Sequence, residues 1–445
     1  MSWLTRIPEL AAQHEQRSLV RISPELDVPI TPRVQAIIDT APFRRLARVT
    51  QLGLVALVYP GATHSRFEHS LGVYRLMLLF LAQLHRDERF RQTVSEEQAS
   101  LAIVAALLHD IAHWPYCHPI EDLGLPEIPH HEQLAERLLC DSELADVLRR
   151  EWHIEPADVA RILRDEPRDA GERIIASLLS GPIDVDKMDY LQRDSLHSGV
   201  PYGKNFDQQR LIGSFCLNSA GDSLAITDKG RTAAEMLVFA RYVMFSEVYW
   251  HHTVRAATAM LQHAFYRLRG NLDLATLLRA DDAAWVQAVL WTAQGQPVEP
   301  ILQGLFGNKR VIYKRLAEYS ILDCPELYAR LARRPYPWLL ELGTAFVEVC
   351  NRELGVALGP DEVLFDAPPT EREIEFDLDV YDPKTQQYRR LGERSPVVRT
   401  LAREQFDDHV KRVRIYIHPS WRAHLPEREA LIPFVERALQ SMKTN

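Results

Sequence analysis

The sequence has few cysteines, no long hydrophobic run and no excess of basic residues, and each absence excludes a class of protein. The five cysteines are odd in number and scattered, with no CxxC pair, which argues against a disulfide framework or a zinc–thiolate site and favours a reducing compartment. No stretch of about 18 apolar residues occurs, and the first residues contain no apolar core of a secretion signal. We therefore expect a cytoplasmic protein with no membrane-spanning helix.

The charge balance is acidic, with 61 acidic and 52 basic residues and a net charge of −9. A general binder of nucleic acid or of anionic membranes needs a basic excess, so neither partner is favoured, although a local basic site stays open. Hydrophobic residues make up 46% of the chain and charged residues 25%, as in ordinary globular proteins. The 445 residues suit one large helical domain with an appendage, or about three domains.

The apolar pattern over residues 31–350 is mostly that of helices. A clear helix begins after Ser95, where a capping-box pattern precedes the apolar run LAIVAALL. Residues 216–227 predict a small hairpin, and residues 232–268 predict one long helix. The expected fold class is therefore mainly α, with an all-helical core and a minor β-hairpin.

The pattern changes to that of strands after residue 354. Apolar and charged residues alternate in two segments, at Ile374, Phe376, Leu378 and Val380 and again at Val413, Ile415 and Ile417. We expect a helical domain over residues 1–354 and a small C-terminal α+β subdomain over residues 355–445. The segment around Pro368-Pro369 is the expected joint.

Histidines are concentrated in one part of the chain. Seven of the 17 lie between residues 64 and 131, at His64, His69, His109, His113, His118, His130 and His131. Histidine is the commonest metal ligand and transfers protons near neutral pH. The cluster therefore predicts a metal or acid–base site.

The spacing of these residues suggests how they meet. His109 and Asp110 close the apolar helix, so we expect their side chains to emerge where that helix meets a cavity. His109 and His113 are four residues apart and would share a helix face. His118 follows after a short turn, with Glu121 three residues later.

Carboxylates for the same site come from the segment IDVDKMDYLQRD, which offers Asp184, Asp186, Asp189 and Asp194. On a helix, Asp186, Tyr190 and Asp194 form one stripe, which we expect to face the histidines. His69, at the start of another apolar helix, completes a set of two histidines and two aspartates. Such a set suits a divalent metal ion, and Mn, Mg, Fe, Ni and Zn all stay open.

Four motifs in order resemble the HD superfamily of metal-dependent phosphohydrolases, and within it the deoxynucleoside triphosphate triphosphohydrolases. The motifs are VYPGATHSRFEHSLGVYRL, LLHDIAHWPYCH, HHEQ and IDVDKMDYLQRDS. The resemblance spans roughly residues 20–270 and implies an HD core at about residues 50–200 within the domain of residues 1–354. It also implies hydrolysis of a deoxynucleoside triphosphate (dNTP) to a deoxynucleoside and inorganic triphosphate.

The resemblance assigns roles residue by residue. The implied metal ligands are His69, His109, Asp110 and Asp186. The implied catalytic residues are His113, His118, Glu121 and His131, with Glu132 beside the last. The implied substrate contacts are Gln51 and Asp194 at the sugar 3′-hydroxyl, Tyr190 under the sugar, Arg66, Lys187 and Arg241 at the phosphates, and Tyr249 and His251 near the base. His118, oriented by Glu121, is the candidate general acid for the leaving 5′-oxygen.

The resemblance further implies a homo-oligomer, either a tetramer or a dimer, and a nucleotide effector. Candidate effector-site residues are Asp39, Arg310 and Lys314. An arginine that is common in the family's N-terminal effector motif is Ala47 here, which argues against guanine-specific activation. The glycine of the family's HD-x-G-H motif is Ala112 here, which concerns substrate fit rather than metal binding.

Two other functions stay open. One is an HD phosphohydrolase with another phosphoester substrate, such as a nucleoside monophosphate, a cyclic nucleotide or a nucleic-acid end. The other is a nucleotide-sensing oligomer without catalysis, against which the complete set of metal ligands argues. Single residues also have structural alternatives: Arg66 and Lys187 as partners of local acids, Tyr190 and Tyr249 as core aromatics, and His64 as a loop residue.

Overall fold

The computed structural model describes residues 3–13, 18–370, 377–401 and 409–442. Its α-helices are α1 (Pro8–Ala12), α2 (Pro32–Ile38), α3 (Ala41–Arg45), α4 (Arg66–Leu84), α5 (Glu88–Thr93), α6 (Glu96–Leu108), α7 (Cys117–Glu121), α8 (His131–Cys140), α9 (Glu143–Val147), α10 (Pro156–Leu163), α11 (Ala170–Ser180), α12 (Val185–His197), α13 (Gln208–Ile212), α14 (Arg231–Met244), α15 (His252–Leu268), α16 (Leu274–Leu277), α17 (Asp282–Ala293), α18 (Glu299–Phe306), α19 (Pro325–Leu331), α20 (Tyr336–Leu354), α21 (Leu391–Arg394), α22 (Pro396–Arg399) and α23 (Ile432–Ser441). The strands are β1 (Leu19–Ile22), β2 (Leu26–Pro29), β3 (Phe215–Leu217), β4 (Leu224–Thr227), β5 (Lys314–Tyr319), β6 (Val363–Asp366), β7 (Asp379–Asp382), β8 (Gln387–Arg390) and β9 (Val413–Ile417). The expected mainly α fold with small sheets is confirmed.

The chain divides into two compact units, each built from separate stretches. The first unit comprises Met1–His113, Pro129–Met244 and Glu375–Glu404, and the second comprises Trp114–Ile128, Phe245–Ile374 and Gln405–Asn445. Residue 354, where the sequence suggests a boundary, lies inside the second unit. The predicted division into a domain of residues 1–354 and a subdomain of residues 355–445 stays a prediction.

The centre of the first unit is formed by α4, which packs against α6 and α12. Helix α4 begins at Arg66 because the Ser65 side chain accepts the backbone N–H of Glu68. Helix α6 has the capping box expected at Ser95, and it is buried over most of its length, as its continuous apolar run predicts. These packed helices carry the histidine and aspartate residues of the candidate site.

The predicted pairing of His109 and His113 on one helix face is wrong. Helix α6 ends at Leu108, and His109 caps it. The chain then turns, and His113 lies beside Asp110, with 3.1 Å between His113 Nδ1 and Asp110 Oδ1. A turn therefore replaces the helical spacing on which that expectation depended.

The long helix expected over residues 232–268 is also wrong. Helix α14 ends at Met244, a π-helical turn covers Phe245–Tyr249, and α15 begins at His252. The His251 ring accepts the backbone N–H of Thr253 and caps the new helix. No glycine or proline occurs at this break, and the apolar pattern continues across it. The sequence therefore predicted one continuous helix.

The hairpin predicted at residues 216–227 is confirmed as the antiparallel pair β3–β4. Strand β7 extends it by pairing with β4 in parallel, and β8 pairs with β7. Leu378 and Val380, part of the predicted alternation, are buried, whereas Ile374 and Phe376 lie outside the described residues. Part of the predicted C-terminal strand region therefore completes a sheet of the first unit.

The sheet of the second unit has the order β5-β9-β6, with both pairings antiparallel. Strand β9 carries the predicted apolar residues Val413, Ile415 and Ile417, but Arg414 between them is buried as well. It is neutralised by Glu318 on β5, with 2.7 Å between Arg414 Nε and Glu318 Oε2. The sequence did not indicate β5 as a strand, because charged residues interrupt its apolar pattern.

Two features bear on the expected location. Within the described ranges, every helix is too short or too polar to cross a lipid bilayer. All five cysteines are free thiols.

Candidate metal centre

Two histidines on different helices direct the same ring nitrogen to one point. The Nε2 atoms of His69 on α4 and His109 at the end of α6 lie 3.1 Å apart. His69 Nδ1 lies 2.8 Å from Asp189 Oδ2, and His109 Nδ1 lies 2.9 Å from the Ala106 carbonyl oxygen. Because each Nδ1–H donates to an oxygen, each ring directs its Nε2 atom at the shared point, and that atom offers a lone pair to a metal ion once it has lost its proton.

Two aspartate side chains lie close to these nitrogen atoms. Asp186 Oδ1 lies 3.0 Å from His69 Nε2 and 3.8 Å from His109 Nε2. Asp110 contributes Oδ1 at 3.5 Å from His109 Nε2 and Oδ2 at 3.8 Å from His69 Nε2. His69, His109 and Asp186 each offer one ligand atom, and these three atoms lie within 4.8 Å of one another. These three residues could therefore hold a divalent metal ion, and Asp110, the fourth residue that the sequence nominated, lies beside both histidines.

The charges around the point favour ionised carboxylates. Burial raises the pKa of Asp110, but His113, Arg66 and the two histidine ligands outweigh burial and hold that pKa well below its ordinary value. Burial likewise opposes ionisation of Asp186, and the hydrogen bond and charge of His69 lower its pKa. Both aspartates are therefore ready to bind a cation at neutral pH.

Two of the predicted catalytic residues adjoin the ligands in the first unit. His113 contacts Asp110, and the rings of His113 and His131 lie 3.9 Å apart between centroids. His131 Nε2 lies 3.4 Å from Glu132 Oε1. The candidate ligand Asp110 therefore has the His113 imidazole beside it, and the His131 imidazole lies against His113.

The other two predicted catalytic residues, His118 and Glu121, lie on α7 of the second unit. His118 Nδ1 is 3.5 Å from Glu121 Oε2, and the His118 side chain is 61% exposed. The Glu121 carboxylate therefore lies beside an exposed imidazole.

The predicted phosphate contacts are partnered by local acids. Arg66 Nη1 lies 2.6 Å from Asp110 Oδ2, and Lys187 Nζ contacts the side chain of Asp184. The third residue, Arg241, is buried on α14. Arg66 and Lys187 therefore make the contacts with local acids that their structural alternative predicts.

The predicted sugar contacts meet through a histidine that the sequence analysis set aside. His64 Nε2 lies 2.9 Å from Asp194 Oδ1, and both side chains are buried. The backbone N–H of Gln51 donates to the His64 carbonyl, at 2.9 Å. Tyr190 lies on α12, one turn before Asp194. The sequence analysis interpreted His64 as a loop residue and did not select it. Its position two residues before the RFEHS motif was a usable signal.

A buried group behind His69 was also missed. Asp189 accepts from His69 and is held by Arg193, with 2.7 Å from Arg193 Nε to Asp189 Oδ2 and from Arg193 Nη2 to Asp189 Oδ1. Arg193 also contacts Glu68 Oε1 at 2.8 Å. The four-residue spacing of Asp189 and Arg193 on a helix was a usable signal for this ion pair.

The remaining predicted residues are distributed over both units. Tyr249 and His251 lie in the second unit, in and after the π-helical turn. Asp39 lies in the first unit, where it accepts from Gln35. Arg310 and Lys314 line a cleft of the second unit.

That cleft is basic. It has a volume of about 680 Å³, and its lining residues are His252, Thr253, Arg310, Ile312, Tyr313, Lys314, Arg315, Tyr416 and Arg422. Burial and then the charges of His251, Arg315 and Arg414 lower the pKa of His252 to about 4. Four cationic side chains with no acid among the lining residues favour an anionic ligand.

Two family models match the chain. Residues 66–194 match the HD domain, and residues 206–431, half of the chain, match the HD-associated region. The first match contains all four candidate metal ligands. The second contains the basic cleft and the β5-β9-β6 sheet.

Relatives of the chain include an uncharacterized protein of Bacillus subtilis, 34% identical over 52% of this chain and 51% of the relative. The deoxynucleoside triphosphate triphosphohydrolase SAMHD1 of Gallus gallus is 28% identical over 54% of this chain and 44% of its own length. The chain spans about half the length of these curated relatives. A hypothetical protein from Aquifex aeolicus has a similar solved structure, with a TM-score of 0.69 and 26% identity over 91% of this chain and 99% of that one.

Proposed function

The chain belongs to the HD-domain phosphohydrolases, and from that premise we propose that it hydrolyses dNTPs to a deoxynucleoside and inorganic triphosphate. The observation that carries the proposal is the grouping of His69, His109 and Asp186, with Asp110 beside both histidines. A divalent ion held there would polarise a phosphate oxygen and lower the pKa of a water molecule. Mn²⁺, Mg²⁺, Fe²⁺, Ni²⁺ and Zn²⁺ are all compatible with the donor set.

The reaction joins the oxygen of water to the α-phosphorus and breaks the bond from that phosphorus to the 5′-oxygen. Arg66, Lys187 and Arg241 are the proposed partners of the triphosphate oxygens. An arginine fork binds phosphate with two hydrogen bonds, and lysine acts as a point charge. Arg66 and Lys187 would pair with phosphate oxygens in addition to Asp110 and Asp184.

The leaving 5′-oxygen needs a proton. We assign this donation to His118, with Glu121 orienting its ring. The pair is supported by its 3.5 Å contact and by the exposure of the imidazole. General acid catalysis of this kind contributes roughly 10²–10⁴-fold.

Selection of the deoxyribose is assigned to Gln51, Tyr190 and Asp194. Gln51 and Asp194 would bind the 3′-hydroxyl, and the Tyr190 ring under the sugar would crowd a 2′-hydroxyl. The contacts of both Gln51 and Asp194 with His64 support a common role. Tyr249 and His251 are the proposed residues near the base.

The basic cleft is the proposed site of a nucleotide effector, with Arg310 and Lys314 facing its phosphates. Its volume and positive lining support an anionic ligand of nucleotide size. Asp39 is the proposed effector contact in the first unit. We also infer a homo-oligomer, either a tetramer or a dimer, in a cytoplasm that keeps the five cysteines reduced.

A product assay tests the function. Purified protein is incubated with each dNTP and each ribonucleoside triphosphate, with Mn²⁺ or Mg²⁺, singly and in mixtures, and products are separated by ion-exchange chromatography. Deoxynucleoside and triphosphate from dNTPs only are expected, and turnover that appears only in mixtures identifies an effector.

Two histidine variants provide the control. His109→Ala should abolish turnover because it removes a metal ligand, whereas His130→Ala, an exposed histidine outside the site, should leave it unchanged. Release of a different product from another phosphoester, with dNTPs inert, would replace the proposed substrate. Nucleotide binding without any turnover would favour the sensing oligomer.

A further inference from the structure

Asp189 and Arg193 form a buried ion pair behind the candidate metal ligand His69. Both lie on α12, one turn apart, and both are almost fully buried. Arg193 binds both carboxylate oxygens of Asp189, so this carboxylate has a fixed orientation. The oxygen Asp189 Oδ2 also accepts from His69 Nδ1 at 2.8 Å.

Further contacts hold Arg193 itself in place. Its Nη1 atom donates to Glu68 Oε1 at 2.8 Å and to the backbone carbonyl of Ser23 at 3.1 Å. Glu68 precedes His69 on α4. The guanidinium therefore links the helix of His69 to the helix of Asp189.

A glycine leaves room for this pair. A Cβ on Gly72 of α4 would lie 1.9 Å from Asp189 Oδ1 and 2.3 Å from Arg193 Nη2. Glycine inside a helix is less favourable than alanine. Here the missing side chain allows a carboxylate and a guanidinium to lie directly against the helix.

We propose that Asp189 is a positioning residue for the metal centre, that Arg193 fixes it, and that Gly72 provides the space for both. The contact from Asp189 orients the His69 ring and keeps the hydrogen on Nδ1, so that Nε2 is directed at the metal. Asp189 contacts the Nδ1 side of His69, whereas Nε2 faces the candidate ligand His109, so Asp189 would act on the metal through the His69 ring. The inference rests on the proposed metal site, and metal binding tests it without any substrate.

The main test compares two carboxylate-to-amide variants. Asp189→Asn removes the charge that orients His69, and Glu172→Gln breaks a similar buried pair with Arg161, 2.9 Å long, in the same unit. Binding of Mn²⁺ to metal-stripped protein is measured by titration calorimetry, with the unfolding temperature of each variant. We expect a roughly 10- to 100-fold weaker Mn²⁺ affinity for Asp189→Asn and an unchanged affinity for Glu172→Gln.

Two more variants separate positioning from general destabilisation. Arg193→Met should weaken Mn²⁺ binding less than Asp189→Asn, and the double variant should bind as weakly as Asp189→Asn alone, because Arg193 acts through Asp189. Gly72→Ala should weaken Mn²⁺ binding with all four ligands intact. If Gly72→Ala does not fold, the comparison of Asp189→Asn with Glu172→Gln still decides.

The proposal is overturned if Asp189→Asn binds Mn²⁺ within twofold of the unaltered protein, or if Glu172→Gln weakens binding equally. It is also overturned if the losses of Asp189→Asn and Arg193→Met simply add. Failure of the metal site gives a different result: His109→Ala would then retain full Mn²⁺ affinity.

Discussion

The guanidinium of Arg66 lies 2.6 Å from the carboxylate of Asp110, and both side chains are buried. A residue proposed to bind phosphate thus neutralises a residue proposed to bind metal. Before metal and substrate arrive, this contact compensates the charge of Asp110. The stability of the metal-free protein and the chemistry of its site therefore depend on the same pair.

The first prediction concerns this pair. Arg66→Met should lower the stability of the metal-stripped protein by on the order of 3–5 kcal/mol, because it leaves a buried carboxylate with fewer cationic partners. Mn²⁺ should restore part of the loss by supplying positive charge at Asp110. Thermal unfolding with and without Mn²⁺ measures both effects, and Arg86→Met, at an exposed position, is the control. A loss that Mn²⁺ leaves unchanged would contradict the account.

The second prediction links metal affinity to pH. Burial lowers the pKa of His69, but the hydrogen bonds that its ring donates to Asp186 and Asp189 outweigh burial and raise that pKa to about 10 in the metal-free protein. His69 therefore binds a proton at neutral pH, and a metal ion must displace it. Mn²⁺ affinity should rise with pH across the neutral range, and calorimetry in buffers of different ionisation enthalpy should show about one proton released per ion. If Mn²⁺ bound without proton release, the carboxylates alone would hold it, and the prediction for His69 would be contradicted.

The third prediction concerns His64. His64→Phe keeps an aromatic ring but loses the hydrogen bond to Asp194, so the 3′-hydroxyl should be bound less well. We expect KM for a dNTP to rise roughly tenfold and the preference over a 2′,3′-dideoxynucleotide to fall. Steady-state kinetics with both substrates measure this. His85→Phe, another buried histidine, should leave both values unchanged; equal effects of the two variants would point to packing alone.

The fourth prediction concerns the sugar. Tyr190→Ala should raise turnover of ribonucleoside triphosphates relative to dNTPs, because it removes the ring proposed to crowd a 2′-hydroxyl. Tyr190→Phe keeps the ring and should keep the selectivity. The ratio of kcat/KM for paired nucleotides is the measurement. An unchanged ratio in Tyr190→Ala would assign sugar selection to other residues.

The fifth prediction concerns acid stability of the second unit. Burial raises the pKa of Glu318, but Arg414, Arg412 and Arg315 outweigh burial and lower it to about 2. A lowered folded-state pKa contributes stability above pH 4.5 that is lost as pH falls through about 2, on the order of 3 kcal/mol in full. Unfolding in urea between pH 7 and 2 should show this loss. Glu318→Gln should flatten the profile, and exposed Glu341→Gln should not.

The sequence indicated the packed helices and the candidate metal ligands, because both depend on short-range patterns. The apolar run after Ser95 and its capping box predicted α6, and the HD motifs nominated His69, His109, Asp110 and Asp186. Nucleation of a helix, capping and burial of one face are properties of neighbouring residues. They can be read without knowing the rest of the fold.

Tertiary structure decided what surrounds those ligands. Arg193 reaches Asp189 and Glu68 on two helices, Gly72 leaves the space, and His64 meets Asp194 across 130 positions of sequence. The same holds for β5, whose Glu318 neutralises Arg414 on a strand far along the chain. A buried charge is unfavourable unless a group of opposite charge lies next to it. Here that group is far away in the sequence, so no local pattern indicates which residue it is.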